Sequence, residues 1–353
     1  MSVHTVGGSA AVTWMEQQWA ALYQHDPAAT PFGSPQWLLG WASQLSASAS
    51  PLLLIAVGRS GVLGALPLLH EDLGGITAVR TMPYCEYVAP VGPGSQDHQV
   101  AEALAVRLTG LACDGALVTL ENVPFRSALA TALRRQPGWR HATSRTATVP
   151  LPLNTGAMSK SVRRQHTRRE RTLADRGRVT YRRTRTAADL LDAIPSLEAL
   201  YTAQRETDGL GPAPDAWTEV LRRCAGGAFI AEASLDGVLM ASQLCLVRGR
   251  HCYSVLPAMT PAMRHLAPGH ALLRYLATHL AVSGFSVLDL GPTRETPGQI
   301  EYKAQYAPVW GVNLSSVADG GTPTAHPGAQ RGSPHQTPGD AFVHPSLTKD
   351  GRA

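Results

Sequence analysis

The strongest constraint in this sequence is an internal repeat at an offset of about half the chain. Residues 54–68, LIAVGRSGVLGALPL, align without gaps on residues 230–244, IAEASLDGVLMASQL, with GVL in register. A second match follows in the same order, Leu-Glu-x-x-Pro ending at Pro124 and Leu-Asp-x-x-Pro ending at Pro292. Each first segment consists of two apolar runs joined by a glycine-containing turn, which is the pattern of a β-hairpin. The two ordered matches therefore predict a duplicated α/β fold.

The stretch of residues 264–306 holds a predicted helix, a predicted strand and several ionisable side chains in succession. Leucines recur at helical spacing after Pro-Gly, which predicts a helix over Pro268–Val282. The short apolar run at 285–290 predicts a strand covered on both faces, with Asp289 near its carboxyl end. Ligands in α/β sheets bind beyond the carboxyl ends of strands, and the helix start at Gly269 offers backbone N–H groups to a phosphate. We therefore expect a binding site at this edge.

A carboxylate, a phenol and an amine follow in consecutive positions at Glu301, Tyr302 and Lys303. Alone, such a trio is typical of a surface turn. The chain, however, has 28 arginines among its 31 basic residues. A lysine at 303 then indicates that a compact ammonium, whose pKa burial can lower, is needed there. Chance remains the alternative.

Basic residues are concentrated between the two repeats. Residues 157–185 contain eleven Lys and Arg against two acidic residues, a net charge of +9, whereas the whole chain carries +5, which leaves −4 for the remainder. Helical spacing places Lys160, Arg164, Arg168 and Arg171 on one face of a helix that ends by Gly177. Like charges along one face repel, so a polyanion is expected to offset the cost. Transfer RNA, the phosphates of coenzyme A or an anionic membrane would serve, and a solvated linker helix is the alternative.

The order of these motifs resembles the double-domain branch of the GNAT acyltransferases, namely the acetyltransferases associated with cellulose biosynthesis and the Fem enzymes that transfer amino acids from aminoacyl-tRNA to peptidoglycan precursors. The residues that carry the resemblance are Pro268-Gly269, Leu288-Asp289, Tyr302-Lys303 with Tyr306, residues 30–38, residues 83–87 and the arginine-rich segment near Arg163. It covers about residues 14–317.

The repeat and the resemblance together imply an α/β fold of two tandem GNAT-like domains with mixed sheets, similar to the Fem proteins. We place the first domain at 1–153, an arginine-rich helical linker at 154–185, the second domain with the active-site cleft at 186–317 and a disordered tail at 318–353. The implied activity is N-acyl transfer to an amine of a small molecule, peptide or glycan precursor. The donor is acyl-CoA or aminoacyl-tRNA as co-substrate, with no tightly bound cofactor.

Acyl transfer to an amine needs a proton acceptor and a charge that stabilises the oxyanion. We predict Lys303 for the oxyanion, as the resemblance also implies, Tyr302 as hydrogen-bond or proton donor, and Asp289 as base or ammonium ligand. The predicted donor-binding residues are Arg163, Arg164, Arg168, Arg171, Arg264, Gly269 and His270. The predicted acceptor-binding residues are Tyr84, Glu86, Tyr253 and Glu301. Residues 264–271 only partly match the acyl-CoA loop Arg/Gln-x-x-Gly-x-Gly/Ala, so the donor stays open.

Several other classes lack their sequence motifs. The five cysteines form no CxxC pair, and HExxH, Gly-x-Ser-x-Gly, GxGxxG and Walker motifs are absent, so we expect no metal site. No apolar run approaches about 18 residues and no signal peptide is present, so we expect a cytoplasmic protein without integral membrane contact. A non-catalytic RNA- or membrane-binding protein on the same scaffold remains the competing class.

Overall fold

The structure, a computed structural model, describes residues 1–209, 216–293 and 295–320 of the 353-residue chain. Its strands form one continuous twelve-stranded sheet. The strands are β1 Ser2–Gly7, β2 Ala49–Gly58, β3 Gly61–Asp72, β4 Thr77–Thr81, β5 Leu117–Pro124, β6 Trp139–Pro150, β7 Val179–Arg183, β8 Ala228–Leu235, β9 Val238–Arg248, β10 His251–Met259, β11 Val287–Pro292 and β12 Val309–Ala318.

Helices connect these strands and cover both faces of the sheet. They are α1 Gly8–Trp14, α2 Ala20–Gln24, α3 Pro35–Ala42, α4 His98–Cys113, α5 Ala128–Leu133, α6 Lys160–Ala174, α7 Ala187–Thr207, α8 Trp217–Cys224, α9 Pro268–Val282 and α10 Pro297–Ala304. A π-helical turn, Met15–Trp19, joins α1 to α2. The start of α3 follows local sequence rules, because Pro35 occupies its first turn and the Ser34 hydroxyl accepts a hydrogen bond from the Trp37 N–H.

The predicted duplication is confirmed strand by strand. β2 and β3 form one antiparallel hairpin and β8 and β9 form the other. In each half the next strand pairs in parallel with the strand that ends in the repeated proline, β4 with β5 and β10 with β11. The remaining neighbours pair antiparallel. The sheet is therefore mixed, as predicted for tandem GNAT-like halves.

The two halves exchange their last strands. The strand order is β1-β2-β3-β4-β5-β12-β6-β11-β10-β9-β8-β7, so β12 completes the first half beside β5 and β6 completes the second beside β11. The exchanged strands pair with each other from Val309 opposite Thr148 to Ala318 opposite Trp139. The limits at 153 and 186 therefore separate the repeats without dividing the sheet, and as domain boundaries they stay predictions.

Three apolar cores hold this sheet. Alternation along β2 sends Leu53 and Ile55 to one face, where they join a core shared by both halves, and Leu52 and Leu54 to the opposite face. The shared core contains the fully buried Trp19, Trp37, Trp41 and Trp217. On the opposite face α4 and α5 cover the first half, and α6 and α9 cover the second. The halves are thus joined by the sheet and by an aromatic core.

Two local predictions are wrong in detail. The predicted strand at 285–290 lies two residues later, at Val287–Pro292. The trio at 301–303, for which a surface turn was the alternative, lies in α10. α9 matches its predicted limits. The predicted tail begins at 318, which is still in β12, and its residues 321–353 lie outside the described residues.

Candidate active site

A loop from the first half meets β11 of the second half at Asp289. The Tyr87 hydroxyl donates to both carboxylate oxygens of Asp289, at 2.7 and 2.9 Å, and lies 2.6 Å from the Thr146 Oγ1. A phenol has one hydrogen, so the Thr146 hydroxyl must donate to Tyr87. The Gly291 N–H also donates to Asp289, at 2.7 Å. These bonds fix the orientation of a carboxylate that is only 7% exposed.

Lys303 reaches the same point from α10. Its Nζ donates to the carbonyl oxygens of Gly291 and Pro292, at 2.8 and 2.7 Å, and the residue is 8% exposed. An ammonium has three hydrogens, so one remains for another partner. Lys303 therefore ties α10 to the end of β11 and also places a positive charge there.

Glu86 packs directly on β11. A Cβ at position 291 would lie 2.7 Å from the Glu86 Oε2, and Gly291 has a φ of +71°, so only glycine allows this approach. The Glu86 Oε2 is buried and has no hydrogen-bond partner among the described residues. A buried, unpaired carboxylate oxygen is costly, which indicates that a ligand or water completes it. We call Glu86, Tyr87, Asp289 and Lys303, with Thr146, the Asp289 cluster.

Burial dominates the ionisation of this cluster. It raises the pKa of Asp289 to about 6, against the lowering effect of the Tyr87 and Gly291 hydrogen bonds and the Lys303 charge. It lowers the pKa of Lys303 to about 8, although Glu86 and Asp289 oppose that shift. Burial and then the Asp289 charge hold the pKa of Glu86 well above its usual range, with Lys303 opposing. The cluster therefore holds a base and an acid that both titrate near neutral pH.

A second group of side chains surrounds the start of α9. The Tyr302 hydroxyl lies 3.4 Å from the Gly269 carbonyl oxygen, and the His270 Nδ1 lies 2.7 Å from the Tyr306 hydroxyl. Burial raises the pKa of Tyr302 to about 12. Burial, with help from the Arg169 and His166 charges, lowers the pKa of His270 to about 3. Tyr302 is therefore a protonated donor and His270 a neutral ring at physiological pH.

The starts of the two equivalent helices differ in charge. In α4 the Asp97 carboxylate caps the helix and accepts from the Gln99 N–H at 2.7 Å. In α9 the capping position is Ala267, with a φ of +54°, and no side chain accepts from the first N–H groups. A helix start binds anions through these free groups and the helix dipole. Of these two helix starts, that of α9 therefore leaves its first N–H groups without a capping side chain.

α6 runs parallel to α9, and its buried face lies beside that helix start. The His166 and His270 rings lie 6.0 Å apart, and Glu170 pairs with Arg274 at 2.8 Å, so both contacts keep the same offset in residue number. His166 and Leu173 form the buried face of α6. The opposite, basic face consists of exposed residues Lys160, Arg164, Arg168 and Arg171.

The structure brings together about half of the predicted site residues. Asp289, Lys303 and Glu86 share the Asp289 cluster, and Tyr302, Gly269 and His270 share the α9 start. Tyr253 lies opposite Asp289 on β10, with its ring 6.2 Å from that of Tyr87. Arg163 lies near the start of α6 but donates to the Met158 carbonyl, at 2.6 Å.

Three further predicted residues lie apart from both groups and from α6. Glu301 is exposed on α10, because the helix turns it away from the buried Lys303. Tyr84 stacks on Trp41, with ring centres 4.5 Å apart, and packs against Trp217 in the shared core. Arg264 pairs with Asp208 at 2.9 Å. The first two predictions relied on residue type alone, which does not reveal the direction of a side chain.

Four residues of the site were not predicted. Tyr87 follows Glu86 in the loop at 82–91, and Thr146 lies on the exchanged strand β6. His166 approaches the Gln305 carbonyl oxygen, at 3.3 Å, and Arg169 donates to the Gln305 side chain, at 2.6 Å. The spacing of His166, Arg169 and Leu173 on one face of α6 was the available signal, hidden by the surrounding arginines.

Comparisons with known proteins agree with this architecture. Residues 160–304 match the family model described as an acetyltransferase (GNAT) domain. The crystal structure of FemX is similar over 85% of this chain and 95% of that chain, with 13% identity and a TM-score of 0.59. The C-terminal domain of a putative lysylphosphatidylglycerol synthetase from Agrobacterium fabrum is similar over 87% of this chain and 92% of that chain, with 14% identity and a TM-score of 0.57. A comparison with curated proteins gives no match.

These findings define a class. Residues 160–304 form a GNAT-type acetyltransferase domain, and the described chain as a whole has a Fem-like tandem GNAT fold. The matched residues are accordingly an acyltransferase domain of the GNAT type, and they include Asp289 and Lys303 of the candidate site. Among the described residues no helix is both long and apolar enough to cross a membrane.

Proposed function

We propose that this acyltransferase moves an acyl or aminoacyl group from an activated, phosphate-bearing donor to an amine of a small molecule, peptide or glycan precursor. The observation that carries the proposal is the Asp289 cluster, where one ammonium, the Asp289 carboxylate and the Glu86 carboxyl group lie buried beside Gly291. The α9 start, which lacks a capping side chain, belongs to the same half. Tyr302 and Lys303 are consecutive in α10, and they connect the α9 start with the Asp289 cluster. Donor and acceptor sites would then adjoin.

The acceptor amine arrives as an ammonium and must lose a proton before it attacks. The unpaired oxygen of Glu86 provides a ligand for that ammonium. Asp289, with a pKa of about 6, is ionised at neutral pH and basic enough to accept the proton. The nitrogen lone pair then forms a bond to the donor carbonyl carbon, while the Lys303 ammonium stabilises the oxyanion. The ester or thioester bond breaks, Tyr302 donates a proton to the leaving group, and the second proton of the attacking nitrogen, released as the amide forms, restores the Tyr302 phenol.

The donor is a co-substrate held by its phosphates, and we propose no tightly bound cofactor. A pyrophosphate at the α9 start would meet N–H groups that no side chain caps. This arrangement suits acyl-CoA.

One observation supports aminoacyl-tRNA as a second candidate donor. The basic face continues from Lys160 to Arg171, about 16 Å along α6 at 1.5 Å per residue, well beyond the reach of one pyrophosphate. A nucleic-acid backbone supplies phosphates over such a length. A structural relative, the C-terminal domain of a putative lysylphosphatidylglycerol synthetase, is named for a lysyl-bearing product. We therefore propose that an aminoacyl-tRNA is the donor that uses the whole face.

A label-transfer experiment tests the function and separates the two donors. The full chain is incubated with radiolabelled acetyl-CoA, or with tRNA charged with radiolabelled amino acids, against an extract of amine metabolites. Label should enter acid-stable amides with one donor only, and the Lys303→Ala variant should lose the transfer. Binding of tRNA or vesicles without transfer from either donor would contradict the proposal and support the non-catalytic alternative.

A further inference from the structure

The exchanged strands β12 and β6 extend beyond their outer neighbours, β5 and β11, from equivalent points. The Phe125 N–H donates to the Val312 carbonyl at 3.0 Å, and the Thr293 N–H donates to the Arg145 carbonyl at 2.8 Å. Val312 and Arg145 also pair across the sheet. These matched bonds make Val312 equivalent to Arg145, and residues 309–312 equivalent to residues 142–145.

The chain closes one of these two edges. The Arg145 N–H donates to the Glu295 Oε1 at 2.6 Å, and the Arg145 guanidinium binds the other oxygen of the same carboxylate. The side chains of residues 142–145 are alanine, threonine, serine and arginine. Charged and polar side chains on an edge discourage strand addition. The β6 edge is therefore protected.

The equivalent edge on β12 is open. The position that corresponds to Glu295 is Ser127, whose hydroxyl already accepts from the Ala130 N–H at 3.1 Å. Because the Val312 carbonyl points away from β6, alternation directs the Val312 N–H and both backbone groups of Trp310 the same way. Within the described residues no partner binds these three groups. We call residues 309–312 the β12 edge.

The β12 edge is also apolar. Val309 is 60% exposed, Val312 43% and Trp310 37%, whereas most large apolar side chains of the described chain are covered. Unpaired backbone groups flanked by exposed apolar side chains are the features by which a sheet edge takes up an extended peptide. A small amine or a nucleic acid would leave the backbone groups unpaired.

We propose that the β12 edge binds the acceptor as an extended peptide that adds a strand beside Trp310. The identification of this peptide as the acceptor rests on the proposed function. Val309 pairs with Thr148, which pairs with Asp289, so the edge lies two strands, about 10 Å, from the cluster. The added strand lies one spacing further out. About four extended residues, at roughly 3.3 Å each, then separate the bound segment from the amine that reacts at Asp289.

Amide hydrogen exchange on the full chain tests this binding without an activity assay. The probe is a pool of N-acetylated octapeptides in which valine or threonine alternates with a mixed position, with a matched pool N-methylated at alternate residues. The first pool should slow exchange at Trp310 and Val312 at least tenfold, and the N-methylated pool, which cannot complete the backbone bonds, should not. Val312→Pro should abolish the slowing at Trp310, whereas Thr143→Pro, which places a proline at the β6 position equivalent to Trp310, should retain it.

Three results would overturn the proposal. Slow exchange at Trp310 and Val312 without peptide would mean that the chain itself covers the edge. Protection that grows with protein concentration alone would mean a second copy binds there. Protection by neither pool, or equal protection by both, would exclude the addition of a peptide strand through backbone hydrogen bonds. Peptide protection without any acyl transfer to amines would leave the edge proposal standing and defeat the proposed function.

Discussion

Tyr87 and Asp289 are 202 positions apart in the chain, and the phenol of one donates to both carboxylate oxygens of the other. The first half thereby controls the ionisation of a carboxylate that belongs to the second. The cluster cannot form from the acetyltransferase domain at 160–304 alone, because Glu86, Tyr87 and Thr146 all lie outside it. The first half is thus part of the site and more than a support for it.

Tyr87→Phe should shift the acid side of the pH profile. Removing a hydrogen bond to the ionised carboxylate raises the pKa of Asp289 further above about 6. Because less Asp289 is then ionised at pH 6, kcat/KM should fall there on the order of tenfold, with little change at pH 8. The control is Tyr181→Phe, whose ring stacks on Tyr275 away from the cluster. Equal losses at both pH values would contradict this role.

The unmodified protein should have a bell-shaped dependence of kcat/KM on pH. Activity should rise as Asp289 loses its proton near pH 6 and fall as Lys303 loses its proton near pH 8. In Lys303→Arg any residual activity should lack the alkaline fall, since a guanidinium keeps its proton. A flat profile between pH 5 and 9 would exclude both assignments.

Lys303→Ala should lower kcat on the order of 10² to 10³ while donor binding changes little, because an oxyanion exists only in the transition state. The substitution also removes two hydrogen bonds to the end of β11. Lys303→Met, which retains much of the buried volume, and the Tm of both variants separate catalysis from folding. A rise in KM at constant kcat would reduce Lys303 to a binding charge.

Replacing Arg164, Arg168 and Arg171 together by glutamine should weaken donor binding and flatten its salt dependence. Each lost phosphate contact lowers the slope of log K against log salt by about 0.7 to 0.9. The matched control changes the exposed Arg59, Arg126 and Arg135 to glutamine, which alters the net charge equally. An identical slope in both triple variants would favour the linker interpretation of α6.

Ala267→Asp should weaken donor binding about tenfold or more, because it places a carboxylate where α4 already carries Asp97. Ala267→Asn is the matched control, since it has the same shape and tolerates the left-handed backbone equally well without the charge. Equal affinities for the two variants would show that the donor phosphates bind elsewhere.

The sequence predicted the fold better than the site. The hairpins, α9 and the Asp-bearing strand β11 were found from periodicity and repetition. The structure places Asp289, Glu86 and Lys303 together, and their roles stay predictions. Tyr87 was missed because its neighbours Tyr84 and Glu86 were equally plausible by residue type. Tertiary packing directs Tyr84 into the core and Tyr87 towards Asp289, and residue type does not reveal this difference.

Features that depend on near neighbours in the chain, or on repetition within it, were readable from the sequence alone. They are the helix over Pro268–Val282, the cap at Ser34 and the duplication at half the chain length. Helical hydrogen bonds span four residues and turns span two, so these preferences are recorded locally. The exchange of β6 and β12 between the halves and the contact of Tyr87 with Asp289 are visible only in the folded structure. Strand pairing and side-chain contacts depend on separation in space and on the burial of both partners, and a residue carries no local record of a partner 202 positions away.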